Sequence, residues 1–297
     1  MTLYILALDA VDARLVEEFD CEHLKLEEHT EMTTISSESR KNPYTMEVWP
    51  SVATGVRPET HGVEGSDTSS WDNPVVDLLS SMSGILSERN RSRLGRLATK
   101  ITGAEFTSGS VEVESIFDTE NRVVREWPGI TDSRELIQVW EWVKQADEGS
   151  ISEQEFERYV MGMCGAQFGW ISEMDNHTVD LAATHVHTVD AFGHAYASEP
   201  EKLKKYYKRL DSYVEEFIES IDGEILIVSD HGMQVSWKDD SPGEHSWHAF
   251  SATTIDQPPT HVLDVKEWIE ERIRTSIREE NSVDMPTETL ERLGYLE

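Results

Sequence analysis

The sequence predicts an α/β fold in which helices are layered on a largely parallel central sheet. Three short apolar runs, rich in β-branched residues, have the pattern of buried parallel strands, over residues 3–8, 181–186 and 224–228. Helical patterns alternate with these runs, which is typical of α/β folds. Each run is followed within four residues by an acid, and open α/β sheets hold their ligands at this edge.

Helices are predicted where apolar residues recur every three or four positions. The longest such pattern, over 201–221, fits a crossover helix between the second and third predicted strands. The capping pair Asp132 and Glu135 predicts that another helix begins at Arg134. Apart from the crossover helix, we expect helices over residues 74–88, 134–145, 153–164 and 265–280.

The whole chain, residues 1–297, is expected to form a single domain. Its composition nowhere shifts sharply enough to mark a linker, and it contains no internal repeat or low-complexity stretch. The segment 89–129 is the least regular part, because glycines and polar clusters interrupt every pattern there. We therefore expect an irregular insertion around 89–129 that covers the functional site.

The composition is that of a folded protein with an acidic surface. Its 58 acidic and 26 basic residues give a formal net charge of −32, and 38% of its residues are apolar. Such a charge disfavours nucleic acid or an anionic membrane as a partner of the bulk surface. High salt screens self-repulsion on this scale, which indicates a halophilic protein; an ordinary acidic enzyme is the alternative.

Cysteine usage and the N-terminal segment suggest a cytoplasmic chain. Cys21 and Cys164 have no metal-binding spacing, so we expect two small core residues rather than a disulfide framework or a zinc–thiolate site. The N-terminal segment lacks a basic region and a cleavage pattern, and no apolar stretch approaches about 18 residues. We expect no membrane contact, and the sequence leaves the oligomeric state open.

Acids, imidazoles and one threonine follow the predicted strands or begin the predicted helices. Pro50 suits the first turn of a helix, which would place Thr45 just before a helix N-terminus, where a phosphoryl anion is favoured. His245 precedes a predicted strand over 249–254, and His248 is the alternative at the same place. The candidate site residues are Asp9, Thr45, Asp190, His194, Asp230, His231 and His245.

Two further histidines lie at the end of the second predicted strand, His185 within it and His187 directly after it. They are either core residues or hydrogen-bond partners of a metal-bound carboxylate.

This donor set predicts a site for two divalent metal ions. Carboxylate, imidazole and hydroxyl ligands suit Zn²⁺, our first assignment, with Mn²⁺ as the alternative. Two metals about 3.5–4 Å apart can clamp the attacking and leaving oxygens of an in-line displacement. The sequence therefore predicts metal-dependent hydrolysis of a small phosphorylated substrate.

The order and spacing of these motifs resemble the alkaline phosphatase superfamily, and most of all its nucleotide pyrophosphatase/phosphodiesterase branch. That branch carries a nucleophilic threonine nine residues before the threonine of a Thr-Gly pair, followed by a Pro-x-x-His-Gly stretch. Here Thr45 stands nine residues before Thr54, and residues 58–62 match the following stretch. The resemblance spans residues 9–252 and implies a three-layer α/β/α sandwich with a largely parallel central sheet.

The resemblance also implies the roles of the site residues. Thr45 would be the nucleophile and would bind one metal together with Asp9, Asp230 and His231. The other metal would be bound by Asp190, His194 and His245.

The implied activity is hydrolysis of phosphodiesters or nucleotide pyrophosphates through a phosphothreonine intermediate. The alternatives are a phosphomonoesterase, a phosphonate hydrolase or a phosphomutase on the same site, or a non-catalytic binding module of the same fold. Glu47 stands where the branch usually has a proline, and its carboxylate either repels an anionic substrate or binds something basic.

Overall fold

A computed structural model of the chain describes residues 1–38, 40–63, 111 and 113–281, with side chains described as far as residue 276. The strands are β1 Thr2–Leu8, β2 Glu28–Thr33, β3 Arg122–Arg125, β4 Leu181–Val186, β5 Gly223–Val228, β6 Gly232–Met233, β7 His245–Ser246 and β8 His248–Thr253. The α-helices are α1 Ala13–Glu18, α2 Thr45–Thr54, α3 Pro58–His61, α4 Arg134–Asp147, α5 Glu153–Glu173, α6 Thr188–Tyr196, α7 Pro200–Ser220 and α8 Val265–Asn281.

The central sheet has six strands in the order β2-β8-β5-β1-β4-β3. Strand β1 pairs in parallel with both β4 and β5, and β3 pairs in parallel with β4. Strand β8 runs antiparallel to both of its neighbours, β5 and β2. The predicted α/β fold with a largely parallel sheet is therefore confirmed.

Helices cover both faces of the sheet. On one face Tyr4, Leu6 and Leu8 of β1 pack with buried residues of α1, α5, α6 and α7. On the other face Leu3 and Ile5 pack with residues of α2 and α8. Because both faces are covered, almost every residue of the central strands is buried, which explains their continuous apolar runs. The three-layer α/β/α sandwich is confirmed.

Helix α5 is much longer in the structure than the predicted helix over 153–164. Helix α5 begins at Glu153 behind a capping box of Ser152 and Glu155, but it continues to Glu173. Two glycines break the apolar pattern after Cys164, yet Phe168 and Ile171 continue the buried face. Packing against the core therefore overrides the weak helix propensity of glycine.

The predicted capping of α4 is wrong. Asp132 instead forms an ion pair with Arg134, and the helix has no side-chain cap from its N-cap residue. The carboxylate of Glu126 accepts hydrogen bonds from the backbone N–H groups of Glu135, at 2.9 Å, and Leu136, at 3.2 Å. A residue nine positions upstream caps the helix, and no local sequence pattern encodes this contact.

Pro50 lies inside α2 and not in its first turn, because the helix already begins at Thr45. The predicted position of Pro50 is therefore wrong, whereas Thr45 does lie at the helix N-terminus. The proline ring packs against Gly129, which has a φ of +76°, and a Cβ atom at Gly129 would lie 2.3 Å from Pro50 Cγ. Gly129 thus permits a close approach of its loop to α2.

Some predictions fall outside the described residues. These are the helix over 74–88 and most of the predicted insertion, residues 89–110 and 112. Within the remainder of that segment, residues 122–125 form strand β3. Cys21 and Cys164 are buried, as expected. No helix in the described ranges is both long and apolar enough to cross a membrane.

Candidate active site

The seven candidate residues come together at the carboxyl edge of the sheet. Asp9 directly follows β1, Asp190 lies in the first turn of α6 after β4, and Asp230 follows β5 by two residues. These three strands are neighbours, so their carboxyl ends deliver the three acids to one place. All three carboxylates are fully buried.

A first cluster contains Asp9, Asp230 and His231, whose ligand atoms all lie within 4.8 Å of one another. The hydroxyl of Thr45 lies beside it, with Oγ1 3.0 Å from His231 Nε2 and 3.5 Å from Asp9 Oδ1. Thr45 is the first residue of α2, where the free N–H groups of a helix N-terminus favour an anion. Hydroxyl, carboxylates and imidazole therefore face one another.

Hydrogen bonding fixes how His231 faces this cluster. Its Nδ1 lies 3.0 Å from the backbone carbonyl of Gly232, which can only accept, so Nδ1 carries the proton. In the neutral ring the lone pair of Nε2 then faces Asp230 Oδ2 at 3.1 Å and Asp9 Oδ1 at 3.5 Å. Three electron-rich atoms converge on one point, an arrangement that a cation stabilises.

A second cluster surrounds Asp190. Asp190 Oδ1 lies 3.3 Å from Nε2 of His194 and 3.4 Å from Nε2 of His245. His245 Nδ1 donates to the backbone carbonyl of Pro43 at 2.9 Å, so its Nε2 also points into the cluster as a lone pair. His231 stacks on His245 with ring centroids 3.7 Å apart, and Asp190, His231 and His245 form a further group able to hold a metal. The two clusters are therefore adjacent.

Several buried oxygens in these clusters lack a hydrogen-bond donor in the described part of the chain. They are both carboxylate oxygens of Asp190 and Oδ2 of Asp230. A buried carboxylate without donors is costly, whereas a bound cation would satisfy it directly. The donor set of oxygen and imidazole nitrogen atoms also suits zinc or manganese. The residues present therefore fit two divalent cations.

Charge coupling among these groups is strong when no metal is bound. Burial acts to lower the pKa of His231, but the carboxylate of Asp230 outweighs it and raises this pKa to about 9. Burial, together with the negative charge of Asp9, raises the pKa of Asp230. Burial also acts to raise the pKa of Asp190, yet His194 and His187 hold it well below its usual range. Protonated histidines thus supply the positive charge that the carboxylates require.

His185 and His187 both contact Asp9. Their Nε2 and Nδ1 atoms lie 3.0 Å and 2.7 Å from Asp9 Oδ2. His187 Nε2 also lies 3.0 Å from Asp190 Oδ2, although the geometry makes no hydrogen bond. Of the two alternatives from the sequence, the geometry favours partners of a carboxylate. His187 connects the acids of the two clusters.

His248 lies away from the clusters. Its Nδ1 lies 2.7 Å from the carboxylate of the exposed Glu31 on the adjoining strand β2. His245 lies on β7, and its Nε2 reaches Asp190 and His194. Of these two histidines, His245 is therefore the one that lies in the site.

Glu47 is neutralised within its own chain. Its buried carboxylate accepts a hydrogen bond from Arg40 Nε at 2.9 Å and one from the backbone N–H of Ser37 at 3.4 Å. The Arg40 guanidinium also lies over the ring of Tyr44, 3.9 Å from its centroid. Glu47 therefore binds a basic group, and that group belongs to the loop leading to α2.

Sequence reasoning missed two residues that support the site. The buried carboxylate of Asp12 accepts from Arg14, from the backbone N–H of Met233 and from the hydroxyl of Ser246. It thereby braces the β6–β7 ribbon, which carries His245. The sequence signal was weak, because an acid three residues after Asp9 is as readily the N-cap of α1, which Asp12 also is.

His61, in the Pro-x-x-His-Gly stretch, packs behind helix α2 and holds it in place. Its Nδ1 accepts from the backbone N–H of Val63, so its Nε2 donates to Ser51 Oγ at 2.9 Å. The Ser51 hydroxyl in turn donates to the carbonyl of Glu47 within α2. Burial lowers the pKa of His61 to about 4, which keeps the ring neutral. In the described part of the chain, its hydrogen bonds go to Ser51 and Val63 and to none of the candidate metal ligands.

Comparison with known proteins gives one family match. The family described as type I phosphodiesterase / nucleotide pyrophosphatase matches residues 4–267. No curated protein matches the chain significantly.

Three solved structures illustrate what the chain is similar to. The PH0037 protein from Pyrococcus horikoshii is 16% identical, covers 37% of this chain and 38% of its own, and has a TM-score of 0.30. Murine ectonucleotide pyrophosphatase / phosphodiesterase 5 is 14% identical, the match covers 79% of this chain and 58% of the murine chain, and the TM-score is 0.41. Alkaline phosphatase from the Antarctic bacterium TAB5 is 12% identical, the match covers 92% of this chain and 97% of the phosphatase chain, and the TM-score is 0.44. The chain thus spans 38% and 58% of the length of the first two.

Proposed function

We propose, from the premise that this chain belongs to the type I phosphodiesterase / nucleotide pyrophosphatase family of the alkaline phosphatase superfamily, that it is a metal-dependent hydrolase with Thr45 as its nucleophile. The family supports phosphodiesterase- or pyrophosphatase-type hydrolysis of small phosphorylated substrates. The observation that carries the proposal is the Thr45 hydroxyl, which begins α2 and lies 3.0 Å from His231 Nε2.

Two divalent cations would be held by the two clusters. The first cation would be bound by Asp9, Thr45, Asp230 and His231. The second cation would be bound by Asp190, His194 and His245. When bound, the cations would lower the pKa of the attacking hydroxyl and neutralise the phosphoryl oxygens. Zn²⁺ is our first assignment, because imidazole and carboxylate ligands suit it, and Mn²⁺ is the alternative.

Thr45 then performs the first chemical step. The hydroxyl gives its proton to solvent and Oγ1 attacks phosphorus in line, so the Oγ1–P bond forms as the bond to the departing oxygen breaks, and the departing oxygen takes up a proton from solvent. The N-terminal N–H groups of α2 stabilise the negative oxygens of the phosphoryl group. Water afterwards attacks the phosphothreonine from the side that the departing group has left, and the hydroxyl of Thr45 is restored.

The surroundings of Thr45 favour a diester over a monoester. Thr45 lines a cavity of ≈ 440 Å³ together with Met46, Leu136, Ile137 and Trp140. A phosphomonoester has no second organic group to fill such a cavity, whereas a diester or a nucleotide pyrophosphate has one. The experiment must distinguish the diesterase from four alternatives: a phosphomonoesterase, a phosphonate hydrolase, a phosphomutase and a non-catalytic binding module.

The test compares bis-p-nitrophenyl phosphate with p-nitrophenyl phosphate in 1 M KCl, with added Zn²⁺ or Mn²⁺. Thr45→Ala should lower diester turnover by about 10³-fold or more, because the nucleophile is lost. Thr60→Ala removes an exposed hydroxyl on α3 and serves as the matched control. Wild type that is acid-quenched during turnover of bis-p-nitrophenyl phosphate should carry one p-nitrophenyl phosphoryl group on Thr45 by mass spectrometry, because one arm of the diester stays on phosphorus.

Each other outcome has a defined meaning. A preference for the monoester would move the assignment to a phosphatase, and silence on both esters would favour the mutase, phosphonate or binding readings. Metal analysis should find two equivalents in the active protein. Full activity after chelation would contradict metal dependence.

A further inference from the structure

Two cavities meet at helix α4, next to the candidate active site. The nucleophile-side cavity, ≈ 440 Å³, is lined by Thr45 and by apolar residues that include Leu136 and Ile137. The His194-side cavity, ≈ 560 Å³, is lined by His194 and by apolar residues that include Val143, Phe156 and Tyr196. Trp140 and Lys144 line both cavities.

Trp140 is the aromatic residue that lines both cavities. Its side chain is 40% exposed, which is unusual for so large an apolar group. The indole ring lies over the site, with its centroid 5.0 Å from that of His194 and 5.8 Å from that of His187. A flat apolar ring exposed at the junction of two cavities offers a stacking surface on either side.

In-line displacement assigns a different part of the substrate to each cavity. The attacking and departing oxygens lie on opposite sides of phosphorus, so the departing oxygen lies away from Thr45. That direction leads to the second cluster and to His194, which lines the His194-side cavity. The substituent that stays on phosphorus lies to the side of the attacking oxygen, where the nucleophile-side cavity opens.

The charges that line the His194-side cavity favour an uncharged departing group over an anionic one. The carboxylates of Asp147, Glu153 and Glu199 line the His194-side cavity. Of its two lysines, Lys202 is paired with Glu153 at 2.5 Å and Glu199 at 3.0 Å, and Lys144 lies 3.8 Å from Glu141. A polyanion such as pyrophosphate would meet an excess of negative charge here, whereas an uncharged alcohol would meet apolar walls.

We propose that the His194-side cavity holds the departing alcohol of a two-armed phosphodiester, and that Trp140 is the specificity-determining residue because it contacts both arms. The proposal rests on the proposed function and narrows it. The substrate is a diester with an apolar, preferably aromatic, uncharged departing alcohol, rather than a nucleoside triphosphate.

The test fills each cavity separately. Ile137→Trp adds bulk to the nucleophile-side cavity and Ala195→Trp adds it to the His194-side cavity, both at exposed positions. The substrates are phenyl p-nitrophenyl phosphate and methyl p-nitrophenyl phosphate, from which p-nitrophenol departs. They differ only in the arm that stays on phosphorus. Gln138→Trp, at an exposed position of α4 that lines neither cavity, is the control.

Ile137→Trp should lower the phenyl-to-methyl ratio of kcat/KM by about tenfold, because only the larger retained arm is excluded. Ala195→Trp should lower kcat/KM for both esters by about tenfold and keep their ratio, since the shared departing group is excluded. Trp140→Ala should lower both values and reduce the ratio. The metal content of every variant should equal that of wild type.

Three results would overturn the assignment. They are an unchanged ratio in Ile137→Trp, unchanged turnover in Ala195→Trp, and a wild-type preference for dTTP over thymidine 5′-(p-nitrophenyl) phosphate, which retains the same nucleoside. If wild type hydrolyses no diester at all, the proposed function itself fails. Diester turnover with the wrong pattern removes only the assignment of the arms.

Discussion

Glu47 is a buried carboxylate two residues from the proposed nucleophile, at a position where the family usually has a proline. The sequence made it a candidate for repelling an anionic substrate, but the charge of Arg40 lies 2.9 Å away. The same carboxylate also receives the backbone N–H of Ser37. Glu47 therefore fastens the loop before Tyr44 to the first turn of α2 and so helps to position Thr45.

Glu47→Gln should lower the free energy of unfolding of the metal-free chain by about 1–2 kcal/mol, because a charge-assisted hydrogen bond to Arg40 is lost. Urea unfolding measures this change. Glu38→Gln removes the same charge from an exposed position of the same loop and should change stability by no more than about 0.5 kcal/mol. Equal changes in stability for the two substitutions would show that Glu47 affects stability only through the net charge of the chain and not through its hydrogen bond to Arg40.

The three acids were predictable residue by residue, whereas the buried carboxylates that hold the surrounding elements in place were not. Asp9, Asp190 and Asp230 follow apolar runs whose strand character is legible in the sequence. Asp12 and Glu126 act on residues that lie far along the chain or belong to another element. Such contacts depend on the packed fold, so local patterns carry no sign of them.

At the scale of elements, the position of α2 depends on how closely a loop approaches it. Gly129 packs on Pro50, and both its positive φ and the missing Cβ are required there. Gly149 also has a positive φ, of +68°, but open space surrounds it. Substituting alanine at each position therefore distinguishes the cost of a positive φ, which both share, from the cost of a steric clash, which only Gly129 has.

Gly149→Ala should cost about 1–2 kcal/mol of stability, the cost of a left-handed conformation for alanine. Gly129→Ala should cost about 1–3 kcal/mol more, because its Cβ would overlap Pro50 and displace α2. Thermal unfolding measures both values, and diester turnover should fall only in the Gly129 variant. Equal stability of the two variants would contradict the close approach.

A second contact between elements ties the edge strand β3 to α8. Both Nη atoms of the nearly buried Arg122 bind the carboxylate of Glu270, with Nη2–Oε2 at 2.9 Å. The hydrogen bond from Arg122 lowers the pKa of Glu270 below its ordinary value of 4.5. A carboxyl with a depressed pKa stabilises the fold fully above its ordinary pKa and loses that contribution as the pH falls through the depressed value.

Wild type should therefore be more stable than Glu270→Gln at pH 7, and the difference should shrink as the pH falls below about 4.5. Urea midpoints measured from pH 7 to pH 3.5 in 0.5 M KCl test this expectation. Glu267→Gln, an exposed carboxyl on the same helix, is the control and should show little difference at any pH. A Glu270 difference that stays constant over this range would argue against the ion pair.

At the scale of the whole molecule, the net charge of −32 sets the conditions under which the fold is stable. Among the acids whose side chains the structure describes, most are at least partly exposed, and their mutual repulsion opposes compaction. Salt shortens the range of this repulsion from about 10 Å at 0.1 M to about 3 Å at 1 M. Because salt weakens this repulsion, we propose that the chain is halophilic.

The midpoint of thermal unfolding should rise by several degrees between 0.1 M and 1 M KCl, with most of the rise at the lower concentrations where screening changes fastest. KNO₃ at equal ionic strength should give a similar rise, because screening depends on ionic strength rather than on the identity of the anion. A midpoint that is flat or falls in both salts would contradict the proposal and favour an ordinary acidic protein.

The sequence by itself determined the α/β class, the central strands and the acids that follow them, because a continuous apolar run and the residues directly after it are local features of the chain. Only the tertiary structure decided that His245 and not His248 reaches Asp190, that His61 contacts α2, and that Trp140 lines two cavities. Each of these depends on the direction in which a side chain points after distant elements have packed. Packing fixes that direction through contacts between residues that the sequence keeps far apart.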